Sequence, residues 1–234
     1  RAIAACEATG AYDLAERLKE QEVYDVVQTC AVDGMCLTAC PVKINTGDLI
    51  RAKRRETQNE TLDKGWKVAA EHWDMVLRGA SLGMTTTHAL PTTPLRGALG
   101  LARKALSEDI VPTLTSELPG GGKVRKPQTV PNPDAIFMPA CVGTMFGTEH
   151  ACGTGVGGAV RELAAYAGLR LSTPAGVQEL CCGTPWKSKG LAKGYEVMKD
   201  KLTSWIVQHT HHGRIPLVCD NVSCTEGIIV ALKN

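Results

Sequence analysis

A dense run of proline and glycine between residues 111 and 134 divides the chain into two stretches of different character. Proline lacks a backbone N–H and fixes φ, so neither an α-helix nor a central β-strand tolerates this density. We therefore predict a linker over 111–134, between one domain over 1–110 and another over 135–234. The residues behind this prediction are Pro112, Pro119, Gly120, Gly121, Gly122, Pro127, Pro131 and Pro133.

The stretch before this run has a helical pattern. Over residues 11–28, apolar side chains recur at near-helical spacing among charged ones, which is typical of an amphipathic helix. Asn45 or Thr46 can cap another helix, and helical patterns follow around 66–82 and 95–106. We expect this whole stretch to be helical.

Beyond the run, short apolar segments alternate with helical stretches. The apolar segments are AIFMP at 135–139, LRLS at 169–172 and IPLVC at 215–219, and helical patterns cover 158–167 and 189–209. This alternation predicts a mixed α/β fold, in which a small cysteine-rich domain with a parallel sheet follows the helical part.

The chain holds ten cysteines in 234 residues, and they occur in short groups. Small secreted scaffolds scatter their cysteines, so this grouping favours metal binding over a disulfide framework. In the second half, the cysteines fall at or just after predicted strand ends. Open parallel sheets usually carry their ligand sites there.

The first group comprises Cys30, Cys36 and Cys40, followed directly by Pro41. Thiolates at short intervals on one loop can wrap one face of an iron–sulfur cubane, and Gly34 permits the tight turn that this requires. We therefore predict that these three cysteines bind a cluster. Zinc, or a disulfide with one free thiol, is an alternative that the spacing favours less.

Asp33 bears on the fourth ligand of this first group. The bacterial ferredoxin run separates its cysteines by two, two and three residues and ends in Cys-Pro, and Asp33 stands where its second cysteine would be. A carboxylate can ligate iron, although more weakly than a thiolate. A three-iron cluster, or a distant cysteine that completes the site, is equally compatible with the sequence.

A second group is spread over the second half of the chain. Two adjacent cysteines followed by Gly183 are awkward for core packing, and a metal or cluster near strand ends explains them better. The alternative is that these cysteines are small buried hydrophobes. His150 and Cys152 could also approach a metal together. The residues of the second group are Cys141, Cys181, Cys182, Cys219 and Cys224.

Composition excludes several classes of partner. Lys plus Arg number 26 against 24 for Asp plus Glu, and aromatic residues make up only 4%, so we expect no nucleic-acid partner. The basic residues Arg51, Lys53, Arg54 and Arg55 are expected to form a solvated face, with docking of an acidic partner near the first cysteine group as the alternative. No apolar run has the length of a membrane span and the N-terminus does not resemble a signal peptide, which predicts a cytoplasmic protein, soluble or peripheral. Because the chain begins at Arg1 and ends after an apolar run, we expect a fragment of a longer polypeptide.

Four segments together resemble the C-terminal iron–sulfur half of FAD-linked D-2-hydroxyacid dehydrogenases, in particular the fused D-lactate dehydrogenase-like enzymes. The resemblance covers nearly the whole chain, and the motifs stand in the order of that family. The segments are YDVVQTCAVDGMCLTACPVKINTGDLIRAKR, MPACVGTMFG, ELCCGTPWKSKG and LVCDNVSCTEG.

The resemblance implies a ferredoxin-like helical segment around Cys30, Cys36 and Cys40, followed by a cysteine-rich CCG module. Such modules hold clusters or sometimes zinc, so Cys141, Cys181, Cys182 and Cys224 are expected to belong to this module, and for the chain we expect a [4Fe–4S] cluster. Where the last element commonly reads CxxC, this chain has Asn221 and Cys224, with Cys219 two residues before Asn221, so the final ligand stays open.

The family resemblance also implies that substrate oxidation and electron transfer take place in different domains. An FAD-containing domain or subunit would oxidise the hydroxy acid, and this chain would pass electrons to a quinone, a cytochrome or a ferredoxin. We expect no catalytic acid or base in this chain. Two other hypotheses are a zinc-stabilised interaction module and an enzyme whose adjacent cysteines carry out thiol–disulfide chemistry.

Overall fold

The computed structural model describes residues 2–89, 118–148 and 153–233, together with the isolated positions 97, 100, 101 and 104. The helix expected over 95–106 therefore falls almost entirely outside the described residues. The chain forms two compact units. Unit 1 comprises Arg1–Lys67 and Pro185–Glu196, and unit 2 comprises Val68–Thr184 and Val197–Asn234. The boundaries predicted from the sequence, at 110/111 and 134/135, stay a prediction.

Unit 1 is built from helices. The amphipathic pattern over 11–28 folds as an α-helix that continues into a turn and a half of π-helix, a form often found at functional sites. Asn45 caps the fourth α-helix, since its Oδ1 accepts a hydrogen bond from the N–H of Gly47 at 3.1 Å, as predicted. The elements are α1 (Ala2–Ala8), α2 (Tyr12–Gln21), the π-helix (Glu22–Gln28), α3 (Met35–Ala39), α4 (Thr46–Glu56) and α5 (Glu60–Glu71), whose last residues belong to unit 2.

Unit 2 contains a three-stranded parallel sheet with strand order β2-β1-β3. The strands are β1 (Ala135–Met138), β2 (Leu171–Ser172) and β3 (Leu217–Cys219), and each lies within one of the three predicted apolar runs. Every residue of β1 is buried, as expected for the central strand of a covered sheet. The mixed α/β class with a small parallel sheet is therefore confirmed.

The helix that joins β1 to β2 packs against this sheet, and the other helices of the second half are divided between the two units. Phe137 and Leu171 pack with Val160 and Ala164 of the helix that crosses from β1 to β2. The elements are α6 (Trp73–Ala89), α7 (Val142–Met145), α8 (Gly155–Tyr166), a 3₁₀ turn (Val177–Glu179), α9 (Thr184–Lys189), α10 (Ala192–His209) and α11 (Val222–Lys233). In the part of the chain that the structure describes, no helix is long and apolar enough to cross a membrane.

Residues 118–134 of the predicted linker are irregular and are hydrogen-bonded within unit 2. The N–H of Gly122 donates to the carbonyl oxygen of Thr144 at 3.0 Å, and the hydroxyl of Ser81 donates to the carbonyl oxygen of Gly122 at 2.8 Å. A Cβ at Gly121 would lie 1.9 Å from the carbonyl oxygen of Ser81, so only glycine fits there. These contacts fix the start of the segment that carries Arg125.

Candidate functional site

The parallel sheet brings the second cysteine group to one edge. Cys219 is the last residue of β3, and Cys141 follows β1 after two residues, so both lie at the carboxyl ends of neighbouring strands. Cys224 lies in the first turn of α11, just after β3. Cys181 and Cys182 follow the 3₁₀ turn and precede α9. Three separate parts of the chain thus deliver thiols to this edge.

Four of these thiols form a hydrogen-bonded chain. Sγ of Cys141 lies 3.6 Å from Sγ of Cys181. Hydrogen bonds from Cys181 and then Cys224 hold the pKa of Cys182 far below its usual range. The hydrogen bond with Cys141 is the main cause that raises the pKa of Cys181. The hydrogen bond with Cys182 likewise raises the pKa of Cys224. The hydrogen bond with Cys181 also lowers the pKa of Cys141. Cys141 and Cys182 are thus favoured as thiolates, the form of cysteine that binds metal.

The adjacent cysteines are held in place by close backbone packing. Gly183 has a φ of 81°, a left-handed conformation that turns the chain sharply after Cys182. The hydroxyl of Thr184 lies 3.2 Å from the sulfur of Cys182. Gly227 of α11 also packs closely against both Cys182 and Thr184. Cys182 is only 5% exposed, so water has little access to its sulfur.

Cys219 lies near these four hydrogen-bonded thiols. Burial raises the pKa of Cys219 to about 12, and the Asp220 carboxylate and the Cys182 thiolate add smaller effects in the same direction. The thiol of Cys219 is therefore neutral at ordinary pH. Asp220 also accepts a hydrogen bond from the N–H of Ala140 at 2.7 Å, which ties the end of β3 to the segment before Cys141.

Arg125 is a charged residue of this site that the sequence did not reveal. It is 7% exposed and donates three hydrogen bonds, to the carbonyl oxygens of Pro139 at 3.0 Å, Gln178 at 3.2 Å and Leu180 at 2.7 Å. Burial lowers its pKa, while the negative charge of Cys141 acts in the opposite direction. In the sequence it stands between two lysines in a proline-rich segment, where no periodic pattern marks it as buried.

The first cysteine group lies in unit 1, on the loop between the π-helix and α4. Cys30 follows the π-helix, Cys36 lies in α3 and Cys40 is the residue after α3, and all three are partly exposed. A hydrogen bond from the Thr46 hydroxyl, and then one from the backbone N–H of Gly47, lower the pKa of Cys36. The N-terminus of α4 therefore favours the thiolate of Cys36.

The loop between Cys30 and Cys36 has an unusual backbone. Val32, a β-branched residue, has a φ of 58°, and Gly34 has a φ of 77°. The carboxylate of Asp33 accepts a hydrogen bond from the N–H of Met35 at 3.0 Å, which leaves its second oxygen for another ligand. A strained backbone such as that of Val32 persists only where neighbouring contacts hold it in place.

Arg54 holds the start of this loop in place. Its guanidinium donates to the carbonyl oxygens of Val27 at 3.0 Å, Cys30 at 2.8 Å and Ser188 at 2.6 Å. Arg51 donates to the carbonyl oxygen of Val32 at 3.4 Å. The expectation of a solvated basic face is therefore wrong for Arg54, because its charge is used to hold the segment that carries Cys30.

Neither cysteine group is arranged around a single ion. Among the residues that the structure describes, no three His, Cys, Asp or Glu side chains are placed as ligands of one metal ion. The structure thus does not gather Cys30, Cys36, Cys40 and Asp33 in this way, nor the second group. Ligands of a cluster stand farther apart than those of one ion, because the iron–sulfide core lies between them, so Cys141 and Cys181, whose sulfurs lie 3.6 Å apart, would have to separate to bind one. His150 and Cys152 lie outside the described residues.

Buried polar atoms near the second group test whether these residues fit a cluster. Nε of Arg125 and the hydroxyl of Thr144 are buried and have no hydrogen-bond partner within the described ranges. Thr144 lies one turn after Cys141, in α7. Unpaired buried donors of this kind imply an acceptor. Thiolates next to a buried cation and free N–H and O–H donors fit an anionic group that contains sulfide.

Comparisons with known proteins find no matching family model, no matching curated protein and no matching solved structure.

Proposed function

We propose that this chain is the iron–sulfur electron-transfer portion of a flavin-linked D-2-hydroxyacid dehydrogenase of the D-lactate or D-2-hydroxyglutarate type. The observation that carries the proposal is the hydrogen-bonded chain of thiols formed by Cys141, Cys181, Cys182 and Cys224 at the carboxyl edge of a parallel sheet. Its electron-transfer part rests on this geometry, and the substrate class rests on the family resemblance of the four cysteine motifs.

The second cysteine group would hold one cluster through Cys141, the adjacent pair, and Cys219 or Cys224. A bound cluster supplies one-electron transfer. The residues of this chain bury Cys181, Cys182 and Cys224, favour the thiolate forms of Cys141 and Cys182, and place the charge of Arg125 near them. Zinc bound by the same thiolates is the alternative for this group.

The first cysteine group would hold a [4Fe–4S] cluster in a ferredoxin-like helical segment. Cys30, Cys36 and Cys40 are its proposed thiolate ligands and Asp33 its proposed local fourth ligand. The lowered pKa of Cys36 supports this assignment, because its sulfur is already stabilised as a thiolate. The strained Val32 supports it as well, since backbone strain concentrates at functional loops.

The partner would be an FAD-containing domain or subunit, and the acceptor a quinone, a cytochrome or a ferredoxin. Exposed apolar side chains border the first cysteine group, namely Met35, Val42 and Ile44. A partner that delivers electrons there would cover them. The chain itself supplies no acid–base catalysis in this proposal, and it acts in the cytoplasm.

Metal and sulfide analysis of anaerobically purified protein tests the proposal. We expect iron and acid-labile sulfide in equal amounts, with an electron paramagnetic resonance signal after reduction. Cys182→Ser should remove the iron of the second group and Cys36→Ser that of the first, whereas Cys6→Ser, in α1 and outside both groups, is the matched control. Colourless protein with stoichiometric zinc would overturn the proposal in favour of a structural module.

Thiol–disulfide catalysis is the second candidate, because Cys141 and Cys181 lie close enough for their sulfurs to hydrogen-bond. Oxidation of these two thiols would form one S–S bond and release two electrons and two protons to a disulfide substrate, which becomes two thiols. Iron-free protein that reduces a small disulfide, and loses this activity in Cys181→Ser, would establish it. If the cluster proposal is right, iron-free wild-type protein and iron-free Cys181→Ser should both fail to reduce the disulfide.

A further inference from the structure

Arg125 connects the two loops that carry Cys141 and the adjacent cysteines. One bond reaches Pro139, two residues before Cys141, and another reaches Leu180, directly before Cys181. The first loop follows β1 and the second follows the 3₁₀ turn, so a single side chain sets their spacing. Because guanidinium geometry is rigid, this spacing is set more tightly than a flexible lysine could set it.

Within the described ranges, no ion pair neutralises the charge of Arg125. Among the described residues its hydrogen bonds all go to carbonyl oxygens, and its Nε is buried there without a partner. The negative groups that act on it include Cys141, which its lowered pKa favours as a thiolate, and the carboxylate of Asp220. A guanidinium stays protonated at any ordinary pH. Its charge is therefore permanent, and its hydrogen bonds hold it against the backbone of the two loops that carry Cys141 and Cys181.

We infer that Arg125 is the positioning residue that raises the reduction potential of the group bound by the second cysteine group. It fixes the spacing of the two loops, and its permanent charge offsets both the thiolates and the electron that the group accepts. This inference rests on the proposed function, since it needs a redox-active group at these thiols. Uptake of one electron adds one negative charge and no proton, so a neighbouring cation favours the reduced state.

The test is a redox titration of the iron-loaded wild-type chain and of three variants, followed by electron paramagnetic resonance. Arg125→Gln removes the charge and keeps amide donors for the carbonyl oxygens. Arg125→Lys keeps the charge. Arg161→Gln is the matched control, because Arg161 is a partly buried arginine of the same unit whose pKa is shifted by burial alone. Arg161 instead lies over the ring of Phe137, at 4.9 Å from its centroid.

We expect Arg125→Gln to lower the equilibrium constant for one-electron reduction by on the order of tenfold, which is about 59 mV. Arg161→Gln should change it by much less. Arg125→Lys should stay close to wild type near neutral pH. Its potential should then fall below that of wild type as the pH rises, because a buried lysine loses its proton where arginine does not.

The pH profile separates the role of the charge from a purely structural one. If Arg125→Gln binds wild-type iron at an unchanged potential, the inference is wrong. If Arg125→Gln does not bind iron, the lysine variant decides, and a potential that runs parallel to wild type at every pH overturns the inference. A wild-type chain without iron refutes the proposed function itself, so the two failures are distinct.

Discussion

Gly227 of α11 lies so close to Cys182 that a Cβ on the glycine would be 2.8 Å from the carbonyl oxygen of Cys182 and 3.0 Å from its Cβ. The helix can approach the adjacent cysteines only because this position has no side chain. The same helix carries Cys224, so the contact sets the relative positions of two of the thiols.

Gly227→Ala should therefore displace either α11 or the Cys182 segment. We expect the free energy of unfolding to fall by about 1–3 kcal/mol, as for other overpacked sites, and the iron bound by the second cysteine group to decrease. Chemical denaturation and iron analysis measure the two effects. Gly79→Ala is the control, since a Cβ there meets nothing within 4 Å among the described residues, and it should stabilise α6 by about 0.5–1 kcal/mol. Unchanged iron in Gly227→Ala would contradict the argument.

Arg54→Met should release the segment that carries Cys30. The variant loses the charge-assisted hydrogen bonds to the carbonyl oxygens of Val27, Cys30 and Ser188, and we expect a loss of about 1–3 kcal/mol in stability. The iron of the first cysteine group should decrease, and that of the second should not. Arg55→Met is the matched control, because Arg55 is exposed on the same helix. Equal iron loss in both variants would show that the basic helix acts only through its total charge.

Local patterns predicted the elements of the fold. The three apolar runs contain the three strands, and the cap of α4 at Asn45 was readable because its hydrogen bond spans two residues. Even there, long helical patterns concealed interruptions. The pattern over 189–209 is broken at Gly190, whose φ of 77° separates α9 from α10.

Long-range contacts account for what the sequence did not reveal. Arg125 reaches Leu180 across 55 residues of chain, and Asp220 reaches Ala140 across 80. Such contacts leave no periodic trace, because the sheet and not the local sequence brings the partners together. The cysteines were found because their side-chain chemistry is rare, whereas an arginine among lysines resembles solvated surface. The fourth ligand of the first group stays a prediction, because a ligand from a distant part of the chain would also leave no local pattern.

Acid should weaken the junction between β1 and β2 through Asp134. Its carboxylate accepts hydrogen bonds from the backbone N–H of Arg170 at 2.8 Å and from Nε of Arg170 at 3.1 Å, and these bonds hold the pKa of Asp134 below its usual 3.8. A carboxyl group with a lowered pKa in the folded state stabilises the fold above its unfolded pKa, and this stabilisation is lost as the pH falls through the folded value.

The free energy of unfolding should therefore decrease as the pH falls from about 4, and Asp134→Asn should make this decrease shallower. Thermal unfolding at a series of pH values measures it. Arg170→Gln should have the same effect, and the double variant should add little, because both changes remove one interaction. Full additivity of the two single variants would show that the pair does not account for the acid effect.

Gly194 permits the packing of the two tryptophans in unit 1. A Cβ there would lie 2.3 Å from Cδ1 of Trp186 and 2.9 Å from the carbonyl oxygen of Trp66. Nε1 of Trp186 donates to that same oxygen at 3.0 Å, and the two rings meet edge to face with centroids 6.1 Å apart.

Gly194→Ala should therefore push the ring of Trp186 away and break its hydrogen bond to Trp66. Trp186 is fully buried, so we expect a loss of about 1–3 kcal/mol in unfolding free energy together with a red shift of tryptophan fluorescence. Gly65→Ala, where a Cβ meets nothing within 4 Å among the described residues, is the control in the neighbouring helix and should leave the fluorescence unchanged. If Gly194→Ala is as stable as wild type, the two tryptophans do not constrain unit 1.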